Sequence, residues 1–363
     1  MAGDVLILTG AAGFLGSAIA TSLSREYRLT AIDIREPSAA LLAATPEVTW
    51  RRLDIAEQGA VASAFERVRR EHGRVDVVIH FAAFYHFGAN WREEYGRTNV
   101  LGTASVLKAA KRMRAERVIF ASSIAAMEPP AAGRTLSECT PTGDFIPYAR
   151  SKTQGEHMIA EGAGELPSIA LRIAGAFTDW CELPPLYGLI KLWAGWGPVS
   201  RIVPGRGESG IPYIHRDDVA GIVRRCIERR RGLAPFEVFL ASPGGAVSHN
   251  QLFPLIRKAA GAHVSPTPIH LPPQLARPGV ALRLGLGTLL GAAPYERPWM
   301  LKFVDRPWIV DAAQTYAKLS WSCTPSKGIL DRLPVILERF STHRRAWEER
   351  NRRRNRGRYE YSP

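Results

Sequence analysis

Tyr148 and Lys152, in the run Tyr148-Ala149-Arg150-Ser151-Lys152, stand four residues apart. On a helix that spacing puts both on one face, so an ammonium can sit beside a phenol and a bound nucleotide. A nearby cation favours phenolate and pulls a tyrosine below its usual pKa of about 10, toward a value useful for proton transfer. Far upstream, Thr9-Gly10-Ala11-Ala12-Gly13-Phe14-Leu15-Gly16 forms a glycine-rich turn between a strand pattern and a helix pattern. Glycine there permits a tight turn and close backbone approach to a pyrophosphate at the helix N-terminus. Together the two features point to hydride transfer with a dinucleotide. Asp33 ends the second strand, where a carboxylate can accept from the adenosine ribose hydroxyls and would repel a 2′-phosphate, so NAD is favoured over NADP. Arg35 moderates that preference, because it can swing toward a phosphate.

The elements that must position these groups follow from periodicity. Val5–Leu8, Leu29–Asp33, Val48–Leu53, Val77–His80, Val118–Ser122, Ile169–Ile173 and Phe236–Ala241 read as strands. Gly13–Glu26, Ala60–His72, Asn99–Arg114 and Tyr148–Gly162 read as helices between them. Such alternation predicts an α/β fold with right-handed βαβ crossovers and a doubly wound parallel sheet. After Arg172 the texture changes to prolines and tryptophans (Trp180, Pro184, Pro185, Trp193, Trp196, Pro198), which marks a substrate-side region. The sheet pattern returns at Tyr213-Ile214-His215 and Phe236–Ala241, then yields again to irregular sequence from Pro243 to about Arg306. The expected division is residues 1–173 with 213–242 for the nucleotide domain, 174–212 with 243–340 for a smaller, discontinuous substrate subdomain, and 341–363 for a basic tail.

Bulk properties narrow the class. A chain of 363 residues, 46% hydrophobic and 23% charged, can bury one large α/β core with a satellite. Cys139, Cys181, Cys226 and Cys323 are widely separated and give neither a disulfide framework nor a metal spacing, so a reducing cytoplasm and no metal are expected. The start lacks a basic region and a cleavage site, which argues against a signal peptide. The apolar stretch from Leu275 to Ala293 is broken by Arg277, Pro278 and Arg283 and makes a poor membrane span. An ordinary packed helix is the plainer expectation there, with a surface insertion or a flap over an apolar substrate left open. Net charge is +14, of which the segment 341–363, with eight arginines and three glutamates, contributes +5. Arg350, Arg352, Arg353, Arg354, Arg356 and Arg358 could touch an anionic membrane surface peripherally; a solvated end is the plainer reading, and nucleic acid is not expected as a partner.

Taken in order, the motifs resemble those of the extended short-chain dehydrogenase/reductase family, across nearly the whole chain to about residue 340. Thr9 to Gly16 matches its TGxxGxxG, Asp54-Ile55 its adenine-contacting position, and His80-Phe81-Ala82-Ala83 its HxAA element. Asn99-Val100-Leu101-Gly102-Thr103 matches NVxGT, Ala121-Ser122-Ser123 the serine element, and Tyr148 to Lys152 YxxxK. The resemblance implies a Rossmann domain on which Gly10, Gly13, Phe14, Leu15, Gly16, Asp33, Asp54, Ile55, Phe81, Ala82, Ala83, Asn99, Tyr148, Lys152 and Ile173 hold NAD. It further implies that Tyr148 is the acid/base, that Lys152 lowers its pKa and binds the nicotinamide ribose, and that Ser123 steadies the reacting oxygen. His80 reads as structural, Asp217 and Asp218 as a helix cap, and Glu156 as half of a helix-surface charge pair. Members of the family often pair through the helices matching Asn99–Arg114 and Tyr148–Gly162, so a homodimer is expected.

Within that family the chemistry is open between dehydrogenase, nucleotide-sugar epimerase and dehydratase. Dehydratases typically carry Thr-Asp-Glu where this chain has Ser123-Ile124-Ala125. Nucleotide-sugar branches often carry an arginine where Ile211-Pro212-Tyr213 stands, and their epimerases an asparagine at the position of Gly175. The expected substrate pocket is instead apolar, drawn from Phe84, Tyr85, Phe87, Trp91, Gly175, Leu186, Tyr187 and Trp193. A looser likeness of the C-terminal region (Pro272 to Ala276, then Asp311 through Trp321 and Pro325) to the sterol and 3β-hydroxysteroid dehydrogenase branch favours a secondary alcohol or ketone on a hydrophobic, sterol-like or lipid-like molecule. The runner-up expectation is a nucleotide-sugar 4-epimerase that retains NAD; behind it stands a non-catalytic NAD-binding protein whose basic tail binds a membrane or nucleic acid.

Overall fold

Buried apolar runs make the sheet. The computed structural model describes residues 3–131, 133–260, 267–275, 298–355, 359 and 361. β1 (Val5–Thr9), β4 (Val77–His80) and β6 (Ser168–Ile173) are buried along their whole length, as strands covered on both faces must be. With β2 (Arg28–Asp33), β3 (Thr49–Arg52), β5 (Arg117–Ser123) and, after four short strands, β11 (Phe236–Ala241), they form a seven-stranded sheet. Its order is β11-β6-β5-β4-β1-β2-β3, and every pairing is parallel. The order reverses between β1 and β4, so the carboxyl ends of those two strands open the crevice where ligands of such sheets bind.

Helices α1 (Phe14–Leu23), α3 (Gln58–His72), α4 (Thr103–Arg112) and α5 (Pro147–Glu161), with the short α2 (Ala39–Ala44), connect the early strands. In α5 the buried positions are Tyr148, Lys152, Gly155, Glu156 and Ile159 with Ala149 and Ser151, one stripe at helical spacing pressed on the sheet. That stripe carries Tyr148 and Lys152 inward together. The sequence expectation of one helix over 99–114 is corrected at its start: a π-helical segment, Tyr95–Gly102, precedes α4 and carries Asn99. Such widened turns re-aim side chains and recur at functional sites.

Tyr213–His215 is a strand, β10, but it pairs with β7 (Gly175–Phe177) in a separate two-stranded sheet. Beyond β6 lie α6 (Pro184–Trp193), β8 (Ile202–Pro204), β9 (Gly210–Ile211), α7 (Arg216–Arg229) and α8 (His249–Ala259). α9 (Ala313–Leu319), α10 (Ile329–Thr342) and α11 (Arg344–Asn355) complete the chain. A second apolar core joins Leu186, Ile190, Trp193, Phe253, Leu333, Ile336 and Phe340, apart from the two cores that flank the sheet.

Three sequence expectations are corrected here. The basic tail is not a solvated end over 344–355: Trp347 is fully buried in the second core, edge-on to Phe340 at 4.9 Å and stacked on Tyr187 at 5.2 Å. Apolar area outweighs the surrounding charge, because Arg344, Arg350, Arg352 and Arg353 of the helix find acids. Glu156 is no surface group; buried against β6, it pairs with Arg172. Neither aspartate caps α7, because the His215 ring accepts the Asp217 amide. Asp218 instead accepts the amide and hydroxyl of Thr324, and Asp217 pairs with Lys327. Of the apolar stretch 275–293, all but Leu275 lies outside the described residues, as do Ala276, Arg356 and Arg358. No described helix is long and apolar enough to cross a membrane.

Candidate active site

A cavity of about 1100 Å³ runs from the glycine loop to the aromatic loop after β4. Gly10, Gly13, Phe14, Leu15, Gly16, Phe81, Ala83 and Ile173 line it, together with Ser123, Tyr148 and Lys152. Gly10 adopts φ +73°, and a Cβ there would stand 2.5 Å from the Ala82 nitrogen. A Cβ on Gly16 would meet the Gly10 carbonyl oxygen at 2.0 Å. The loop therefore depends on glycine to fold back on itself and to present bare backbone to a ligand.

Gly13 caps α1 with no side-chain bond, so the first-turn amides face the cavity as an anion site. Arg216 lies over the Phe14 ring at 5.7 Å, its Nε buried without a hydrogen-bond partner. A bare helix end beside an orphaned cationic donor fits the pyrophosphate of a dinucleotide. Asp33 is held in place by two backbone donors, the Ala12 amide and the Arg35 amide, both at 2.9 Å. Four lone-pair sites on a carboxylate leave capacity for ribose hydroxyls. Arg35 reaches back to Asp33 at 3.5 Å.

The remaining cofactor candidates lie behind this surface. Asp54 accepts from the Ala56 amide at 2.9 Å and pairs with Arg97 at 2.6 Å. Ile55 is core, and Ala82 packs beside it. Asn99 holds the Phe84 backbone with both ends of its amide (2.7 and 3.0 Å) and donates to Ser151 at 2.9 Å, so it shapes the aromatic loop. His80 is structural. Thr103 spends its proton on the Asn99 carbonyl, so His80 Nε2 donates to Thr103 and Nδ1 accepts from Thr9. Burial first, then Lys152, pushes this ring down to about 3, so it stays neutral.

At the reactive end Tyr148 is buried between Tyr85 (ring centroids 5.3 Å) and Phe87 (5.0 Å), and the Ser123 side chain hydrogen-bonds it. Lys152 Nζ donates to the Ala121 carbonyl at 2.6 Å and lies 5.0 Å over the Phe120 ring. The expectation that Lys152 lowers Tyr148 is corrected for this state. Burial, then Tyr85, raise the phenol above its ordinary value, against weaker lowering by Ser123 and Arg354. Burial in turn lowers Lys152 to about 8, opposed by Glu156. The phenol is therefore protonated at neutral pH, a state suited to donating a proton.

Of the eight substrate candidates, Phe84, Tyr85, Phe87 and Gly175 line the cavity. The other four do not. Leu186 and Trp193 are core, Tyr187 backs Trp347, and Trp91 lies at the surface under Arg150 at 5.2 Å. Trp91 lies in an irregular loop, where alternation has no meaning, while Leu186, Tyr187 and Trp193 lie on α6 and pack on the second core rather than on the cavity, a choice of partner that sequence could not show. Sequence reasoning also missed Phe145, Trp299, Trp308, His249, Arg354 and Tyr359, all of which line the cavity. Only the tail carried a usable signal: Trp347, Asn351 and Arg354 recur at helical spacing on one face.

A parallel sheet of this order, with a serine, a tyrosine and a lysine gathered beside its glycine loop, is that of an extended short-chain dehydrogenase/reductase. Residues 6–241 match the NAD dependent epimerase/dehydratase family, and the chain belongs to it. It is an NAD-dependent enzyme. It is 28% identical over 357 residues to UDP-glucose 4-epimerase of Streptomyces lividans, covering 92% of this chain and 100% of that one. It is 32% identical over 176 residues to the decarboxylating sterol-4-alpha-carboxylate 3-dehydrogenase of Schizosaccharomyces pombe, covering 47% of this chain and 50% of that enzyme. The solved dTDP-glucose 4,6-dehydratase of Streptomyces venezuelae with NAD and TYD bound superposes with a TM-score of 0.68 at 21% identity, covering 95% and 99%. At that identity the likeness is one of fold.

Proposed function

We propose that the protein interconverts a secondary alcohol and a ketone on a hydrophobic, sterol-like or lipid-like molecule, with Tyr148 as the proton-transfer group. One observation supports this reading: Tyr148 lines a cavity walled by Tyr85, Phe87, Phe145, Leu189, Trp299 and Trp308, with no aspartate or glutamate among the described residues of its lining. Elimination needs a proton donor for the departing hydroxyl, and the described lining holds no carboxylic acid for it. Ile211 lines the wall, and a Cβ on Gly175 would meet Ile211 Cδ1 and Leu183 Cδ2 at 3.2 Å, so an asparagine there would be crowded.

NAD, when bound, accepts or supplies the hydride. The chain does the rest. Tyr148, protonated in its buried site, donates to the carbonyl oxygen in reduction and takes the hydroxyl proton back in oxidation. Ser123 shares that oxygen and steadies its charge. Lys152, one turn on and lining the same cavity, would hold the nicotinamide ribose. The aromatic walls exclude water, which strengthens each of these interactions.

A second reading, a nucleotide-sugar 4-epimerase, draws support from the full-length likeness to UDP-glucose 4-epimerase and from Arg92 and Arg306 in the lining. The two separate by absorbance of reduced nicotinamide. NAD with a panel of hydrophobic secondary alcohols gives sustained NADH on the dehydrogenase reading. No net NADH, with isomerisation of a nucleotide sugar, would establish the epimerase. The cysteines are all free, which supports a reducing, cytoplasmic setting. A homodimer through the α4 and α5 layer belongs to the same reading; exposed Leu101 supports it, and sedimentation tests it.

A further inference from the structure

The tail's arginines are mostly spent within the tail or on its anchor. Arg344 and Arg352 pair with Glu348, Arg353 with Glu349, and Arg350 with the buried Glu182. Arg354 makes no ion pair among the described residues, and its Nε is buried with no hydrogen-bond partner. Its guanidinium is wedged between two rings, 4.6 Å over Phe14 at the start of α1 and 4.7 Å over Tyr85 beside Tyr148. A cation–π contact on two rings holds a guanidinium without satisfying its N–H groups.

Described residues before and after Arg354 are anchored. On one side Trp347 fills the second core, and Asn351 donates to the Trp180 and Trp347 carbonyls (both 2.8 Å) while accepting the Glu182 amide at 2.8 Å. On the other, Arg35 donates to the Tyr359 carbonyl at 2.9 Å, Ser38 to the Tyr361 carbonyl at 3.3 Å, and Arg216 to the Tyr359 hydroxyl. The Tyr359 ring meets Phe14 edge-on at 5.3 Å. The C-terminal segment is thus tied to the second core and to the adenosine side of the glycine loop, with Arg354 and Arg216 both over Phe14. Arg354, a cation with an orphaned donor, lines the cavity beside the uncapped N-terminus of α1, and no carboxylate stands among the described residues of that lining, an arrangement suited to a doubly charged anion.

We infer that Arg354, carried to the glycine loop by α11, is a ligand of the dinucleotide's pyrophosphate. That contact would tie nucleotide binding to a helix more than three hundred residues away in sequence.

Calorimetric titration of the full chain with NAD, ADP and adenosine tests this. Arg354→Gln should weaken NAD and ADP by roughly tenfold or more, the loss of a charge-assisted bond, and leave adenosine, which lacks the pyrophosphate, unchanged. Arg354→Lys should recover most of the loss, and NAD should protect the tail of the wild type from trypsin. Circular dichroism of each variant checks that it is folded. Unchanged NAD affinity in a folded Arg354→Gln overturns the inference. So does tighter binding, which would make the tail a plug that NAD must displace. A wild type that binds no dinucleotide overturns the inference together with its premise.

Discussion

Arg172 and Glu156 face each other across the join of β6 and α5, with Arg172 Nε 3.1 and 3.2 Å from the two carboxylate oxygens and Nη2 2.8 Å from one of them. Both side chains are about 5% exposed or less. Arg172 Nη1 adds a bond to the Thr140 carbonyl at 2.7 Å, and Ser122 donates to Glu156. The pair therefore locks α5, one turn beyond Lys152, to β6, and the Ser122 bond locks it to β5, which ends in Ser123.

Breaking that pair from one side strands a buried charge. Glu156→Ala is expected to cost about 3–5 kcal/mol in urea unfolding. Replacing both partners by methionine should cost less than the single change, since no ion is then left alone. A single-variant loss below about 1 kcal/mol would show that the pair does not hold α5.

Tyr148→Phe removes the proton donor while keeping the ring between Tyr85 and Phe87. Turnover on an identified substrate should fall by about 10² to 10⁴, with NAD affinity unchanged. Because burial raises the phenol, phenolate is scarce at neutral pH and grows about tenfold per unit as pH rises. Oxidation should accordingly accelerate with pH more steeply than reduction. Wild-type turnover in the variant would refute the role.

Lys152 is a functional group that costs stability. Its pKa falls on folding, from 10.5 to about 8, so the unfolded chain binds more protons between those values. Wild-type stability must therefore rise as pH climbs through that window. Lys152→Met should abolish activity, stabilise the fold by roughly 1–2 kcal/mol near pH 7 after the Ala121 carbonyl loses its donor, and lose its advantage as pH rises. Equal pH slopes for the two proteins above pH 8 would contradict this.

Cofactor choice rests on Asp33 beside Arg35. Asp33→Ser removes the charge that repels a 2′-phosphate and frees Arg35, so the ratio of NADP to NAD affinity should rise by roughly tenfold or more. Fluorescence titration with both reduced cofactors reads it. An unaltered ratio would place the discrimination elsewhere.

Gly175→Asn asks whether the wall tolerates a polar side chain. With Ile211 and Leu183 already 3.2 Å from a Cβ there, the variant should raise KM for a hydrophobic substrate more than it lowers kcat. A fall in kcat alone would mean that Gly175 does not border the substrate.

Much of this molecule is local in origin. The strands that read as Val77–His80 and Phe236–Ala241 have those limits in the structure, because short runs rich in β-branched and aromatic residues, bounded by turns, favour strand over helix. The glycine turn and the Tyr148 to Lys152 spacing are likewise set by backbone sterics and helical period. Tertiary structure alone decided the rest. Whether Tyr85 or Trp91 faces the cavity depends on how an irregular loop is tied down, here by Asn99 from a π-helical segment. Glu156 looks like a surface charge until Arg172 arrives from the neighbouring strand. Arg354 looks like one more solvated arginine until the burial of Trp347 turns it onto Phe14, 340 residues upstream. Local sequence encodes period and turn; it does not encode which distant surface will cover a residue, and that covering sets its charge state, partners and chemistry.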